Sequence, residues 1–96
     1  MRLVWTRRAT RHLQAAYDYW AREKSEDAAD KMQERIFSAV ELLQNHPELG
    51  RQGRVPGSRE LVLTPTPFVI AYRVRREKIE IVALLHAARK WPGRFS

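Results

Sequence analysis

One grouping in this 96-residue chain has the makings of acid–base chemistry: a histidine that ends an apolar run and is followed by cations, "IVALLHAARKWPGRF". Histidine titrates near neutrality and arginine grips phosphate oxygens bidentately, so His86 with Arg73 and Arg89 is a set able to move a proton and steady a phosphodiester. The same stretch has a second reading. Arg89, Lys90, Trp91, Pro92 and Arg94 combine cations with an aromatic ring, a composition suited to a protein pocket or a stacked base. Glu60, beside Arg59, is the only acidic residue between Glu48 and Glu77; it fits a local ion pair or a general base. His12, His46 and His86 stand apart with no carboxylate at ligand spacing, and there is no cysteine, so neither a metal nor another cofactor is expected. No nucleophile elbow, phosphate-cradling glycine loop or paired-carboxylate motif occurs.

The elements decide which of these residues can meet. Residues 2–5, RLVW, form a short extended run that stops at Thr6, an N-cap type. Ala9, Leu13, Ala16, Tyr17 and Trp20 then recur at helical spacing to about Arg22. Arg7, Arg8 and Arg11 fall near the start of that helix, where its dipole disfavours cations; either they point into water or something outside the helix holds them there. Ser25, followed by Glu26 and Asp27, caps a second helix whose stripe is Ala29, Met32, Ile36, Val40 and Leu43, and Pro47 ends it. The linker EKSE allows only an antiparallel hairpin. Residues 45–57, NHPELGRQGRVPG, predict a long ordered loop, and SRELVLT, PFVIAYRVR and KIEIVALLH predict three strands. The fold class is α+β: an N-terminal strand, an antiparallel helical hairpin, then a three-stranded antiparallel meander.

A last turn at Glu77 and Lys78 would pair Arg75 with Glu80, Arg73 with Val82, Ala71 with Leu84 and Val69 with His86. The opposite face, Val74–Ile81, Tyr72–Ala83 and Ile70–Leu85, is apolar and is the natural floor for the helices. The first face is mixed, and its apolar centre calls for a cover: the C-terminal tail, a second copy or a partner chain. In this register Arg73 and His86 share a face about 13 Å apart, at ~3.3 Å per residue.

Length fits one domain, residues 1–96. The net charge of +7 is unevenly spread: residues 1–49 hold eight Lys/Arg and eight Asp/Glu, residues 50–96 ten and three. A basic half raises encounter rates with DNA, RNA or an acidic protein. No apolar stretch approaches the ~18 residues of a membrane span, the N-terminus lacks a signal-peptide core, and a cysteine-free chain suits a reducing compartment; a cytoplasmic protein with no membrane partner is expected.

The order and spacing of "HPELGR", "VPGSREL", "PFVIAYRV" and "IEIVALLHAARKWP" resemble toxins of the ParE and RelE superfamily, the toxic halves of bacterial type II toxin–antitoxin modules, and are most similar to the ParE branch. The resemblance covers essentially the whole chain and implies the RelE/ParE-like fold. RelE-like members cut mRNA in the ribosomal A site, whereas ParE-like members poison DNA gyrase without a recognised hydrolytic site. The positions where the mRNA-cleaving pattern wants a basic residue and an aromatic hydroxyl or histidine align with Val69 and Phe95 here. The resemblance therefore implies a growth-inhibiting toxin of plasmid-stabilization type that acts on DNA gyrase and so on replication. A cognate antitoxin, ParD-like or similar, would neutralise it in a hetero-oligomer and supply the missing cover for the mixed face. The alternative is a ribosome-dependent mRNA endoribonuclease on the translating ribosome using His86, Arg73 and Arg89. Arg59, Glu60, Arg73, His86, Arg89, Lys90 and Trp91 are the candidates for target or antitoxin contact.

Overall fold

Short hydroxyl side chains start both helices. In the computed structural model, which describes residues 1–95, Thr6 follows strand β1 (Arg2–Trp5) in an extended conformation and opens helix α1 (Arg7–Glu23). Its hydroxyl accepts from the Ala9 N–H at 3.1 Å and donates to the Ile81 carbonyl at 3.0 Å, so the cap also pins the helix start to the sheet. Ser25 caps α2 (Glu26–Asn45) through the Ala28 N–H at 3.0 Å, with Glu26 and Asp27 in the favourable first turn. Only Lys24 and Ser25 separate the helices, and the hairpin expected from EKSE follows.

The sheet has the order β1-β5-β4-β3-β2, with β2 (Arg51–Gln52), β3 (Arg59–Val62), β4 (Phe68–Arg75) and β5 (Lys78–His86) antiparallel in sequence and β1 parallel to β5. The α+β class and the strand, hairpin, meander order stand. Two strands enlarge the expected three-stranded sheet: β1 joins its edge at β5, and Arg51–Gln52, inside the expected loop, pairs with Glu60 and Arg59. Ala9, Ala16, Met32, Ile36, Ala39, Val40 and Leu43 of the helices close over Ile70, Tyr72, Ile79, Ile81 and Leu84.

The expected register of the last hairpin is wrong. The turn is Arg76–Glu77, both in the left-handed region (φ 50° and 61°), so Arg75 pairs with Lys78 and Arg73 with Glu80. A bulge at Val82 then shifts the ladder again: Tyr72 faces Ile81 while Ala71 faces Ala83. Ile81 lies under the helices as expected, with Ile79 in the same core, but the extra residue exchanges the faces of everything beyond it on β5. Leu84 joins the helix-side core, Ala83 goes to the opposite face, and His86 pairs with Phe68 instead of Val69.

Candidate partner-binding surface

The sheet face away from the helices carries Ala71, Val82 and Ala83, none more than 2% exposed, with Leu85 beside them. The chain covers this face itself. After β5 the Arg89 N–H and the Trp91 indole N–H both donate to the His86 carbonyl, at 3.1 and 3.2 Å, and the reversal lays Trp91 and Phe95 on the apolar cluster. Of the covers considered from sequence, the tail fills the place, and the expectation that an antitoxin supplies it is corrected. Three arginines, from α1, β4 and the loop between β2 and β3, hold these two residues. Arg54 stacks 3.7 Å from the Trp91 centroid, Arg8 lies 5.4 Å from the Phe95 centroid, and Arg73 Nη1 donates to the Phe95 carbonyl at 3.4 Å. Arg89 and Lys90, just before Trp91, and Arg94, between the two half-buried anchors, are exposed.

Glu60 organises the loop beneath Trp91. It is 2% exposed and accepts from the Arg54 backbone N–H at 2.7 Å, from Arg54 Nε at 3.1 Å and Nη2 at 3.3 Å, and from Arg51 Nη2 at 3.1 Å. Burial pushes its carboxyl up, but the Arg54 and Arg51 hydrogen bonds outweigh burial and hold it below the ordinary carboxylate value. A carboxylate surrounded by donors is a poor proton acceptor, so the general-base reading of Glu60 has no support. The local ion pair expected from sequence is present with different partners. Neighbouring residues of a strand point to opposite faces, so Arg59 turns away and donates to the Gly50 carbonyl at 2.6 Å. There it joins Tyr72, whose buried hydroxyl donates to the Pro47 carbonyl and accepts from the Gly50 N–H, both at 2.8 Å. Arg59 is thus occupied in closing the loop after α2.

At the other end of the face Arg73 Nε donates to Glu80 Oε1 at 2.7 Å, and this contact holds the Glu80 carboxyl below its ordinary value. Arg73 also lines a concavity of about 240 Å³ with Thr6, Arg7, Arg8 and Val82. Two of the three cations near the start of α1 have a place here, Arg8 bracing Phe95 and Arg7 bordering the hollow, while Arg11 is exposed.

The set His86, Arg73 and Arg89 is not assembled. His86 stacks edge-on against Phe68 at 6.1 Å on the helix side, and its Nδ1 accepts from the Ala88 N–H at 3.2 Å. Arg73 lies on the opposite face, five positions along β4 from Phe68, or about 16 Å at ~3.3 Å per residue. Trp91 and Glu60 are brought together through Arg54, which sequence reasoning passed over; its signal was the pair Arg51 and Arg54 preceding the lone acid Glu60.

The family model described as "ParE toxin of type II toxin-antitoxin system, parDE" matches residues 3–91. The protein Y4kP of Sinorhizobium fredii is 41% identical over 91 residues, covering 95% of this chain and 93% of its own. Toxin RelE2 of Caulobacter vibrioides is 41% identical over 87 residues, 91% of this chain and 96% of its own. A chain from the chromosomal ParDE TA system of P. aeruginosa superposes with a TM-score of 0.83 at 34% identity, covering 90% of this chain and 95% of that one. With a family model spanning most of the chain and relatives of similar length agreeing with it, the chain belongs to the ParE toxin family of type II toxin–antitoxin systems.

Proposed function

We propose that this toxin acts in the cytoplasm by binding DNA gyrase and blocking replication, without hydrolytic chemistry of its own, and that a cognate antitoxin neutralises it. The observation that carries this reading is the separation of the acid–base candidates. His86 faces Phe68 on one side of the sheet, while Arg73 is neutralised by Glu80 on the other. A phosphodiester cannot touch both, and Phe95 offers its carbonyl and ring where a proton-moving group would be needed. What the surface does offer is a cationic edge, Arg89, Lys90 and Arg94, on a tail fixed by aromatic anchors, a form suited to docking. The relationship to a solved ParDE system supports an antitoxin partner.

The deciding experiment is a supercoiling assay with purified toxin, gyrase and relaxed plasmid. Loss of supercoiling in stoichiometric excess of toxin, relieved by the antitoxin, is expected. Undiminished supercoiling together with mRNA cleavage on translating ribosomes would overturn the proposal. The likeness to a relative named RelE2 gives the endoribonuclease a place as second reading; full toxicity of His86→Ala would remove it.

A further inference from the structure

We propose that Glu60 and Arg54 are positioning residues for the C-terminal tail: the buried carboxylate fixes the Arg54 guanidinium as a platform, the platform holds Trp91, and Trp91 sets where Arg89 and Lys90 stand as a contact surface. The contact role rests on the gyrase reading; the positioning does not.

Arg54 has a side-chain exposure of 42%, and a long side chain so placed loses rotamer freedom when it is held still. Glu60 holds it still. The carboxylate takes the Arg54 backbone N–H and two guanidinium N–H groups, which fixes both ends of the side chain. Those bonds lie at the edge of the guanidinium plane, so its flat face is left for the indole 3.7 Å away. Trp91 is therefore gripped between Arg54 and the sheet surface of Ala71, Val82 and Ala83, with its indole N–H tied to the His86 carbonyl. Lys90 and Arg89 precede it directly, are exposed, and have no ion pair among the described residues. Cations that are unpaired yet carried on an anchored backbone are ready for an acidic surface at little ordering cost.

Arg51 provides the control that separates positioning from general stability. It also pairs with Glu60, at 3.1 Å, but is no part of the Trp91 stack. The test compares full-length wild type with Arg54→Ala, Arg54→Lys and Arg51→Ala, following hydrogen exchange of the Trp91 indole N–H by NMR, its signal identified by its loss in Trp91→Phe. Removing a partly exposed cation–aromatic stack should speed exchange about three- to fivefold in Arg54→Ala. Arg54→Lys keeps the charge and part of the protection, and Arg51→Ala exchanges like wild type. Gyrase inhibition should weaken by a similar factor, about three- to fivefold, in Arg54→Ala, stay level in Arg51→Ala, and fall no further when Arg54→Ala is added to Trp91→Ala. Equal exchange in Arg54→Ala and Arg51→Ala would overturn the positioning. A loosened tail with undiminished inhibition would overturn the contact role. If wild type leaves gyrase untouched, the gyrase reading falls and the contact role with it, while the exchange comparison still decides the positioning.

Discussion

His12 shows a titratable side chain employed in place of a strand. The β1–β5 ladder ends at Trp5 and Ile81, so β5 continues with no β1 residue opposite it, and His12 Nδ1 accepts the Leu84 N–H at 3.2 Å. Only an imidazole with that nitrogen unprotonated can accept the bond. Burial, aided by the nearby Arg8 cation, lowers the His12 pKa from 6.5. A group whose folded pKa lies below its unfolded one binds protons more readily when unfolded. Its stabilisation is complete above pH 6.5, and it is lost as pH falls from there through the folded value. Glu60 and Glu80, whose pKa values lie below 4.5, lose their contributions only in a more acidic range. Urea midpoints should therefore drop as pH falls below 6.5 in wild type and stay flatter in His12→Asn; parallel profiles would remove His12 as the cause. At this scale the sequence revealed types better than partners. Glu60 was recognisable as the one acid in a basic stretch, but the choice of Arg51 and Arg54 over adjacent Arg59 depends on strand faces and on a two-residue strand no periodicity could announce.

Among the elements, the helices were legible because their signals are local. Thr6 and Ser25 cap within three residues, and the apolar stripe of α2 repeats every turn. The β4–β5 register was not, for two physical reasons. Two-residue hairpin turns of the type that matches strand twist need φ above zero and announce themselves with Asn or Gly; here Arg76 and Glu77 adopt it without either. The bulge at Val82 then moves the ladder by one, which alternation alone cannot reveal. The turn leads to a prediction at its own scale. Left-handed geometry costs side-chain-bearing residues other than Asn about 1 kcal/mol each, and the entropy of ordering a glycine offsets about half of the total, so Arg76→Asn with Glu77→Gly should stabilise the fold by about 1 kcal/mol. A thermal scan should show Tm higher by roughly 4–8 °C. An unchanged or lower Tm would mean that contacts of the native side chains outweigh the backbone term.

For the whole molecule, the layering explains why the ending of the chain is not an appendage. Two helices cover one side of the sheet, and the segment after His86 covers the other with Trp91 and Phe95, clamped by Arg54, Arg8 and Arg73 from a loop, a helix and a strand. Composition pointed to the basic half and family resemblance to a partner, yet the inward turn of these two rings depends on contacts far apart in sequence. A chain stopped after Ala88 would lose both anchors and uncover Ala71, Val82, Ala83 and Leu85 together. Fully burying a large apolar side chain is worth about 1.5–3 kcal/mol, so two half-buried rings contribute about 2 kcal/mol. The truncated chain should lose about that much in denaturant unfolding. The uncovered apolar face should also drive concentration-dependent self-association in sedimentation velocity, to a greater degree than in full-length protein under the same conditions. A truncated chain as stable and as dispersed as the full one would mean that the tail rests on the sheet without holding it, and the cationic edge would then have no fixed place from which to dock.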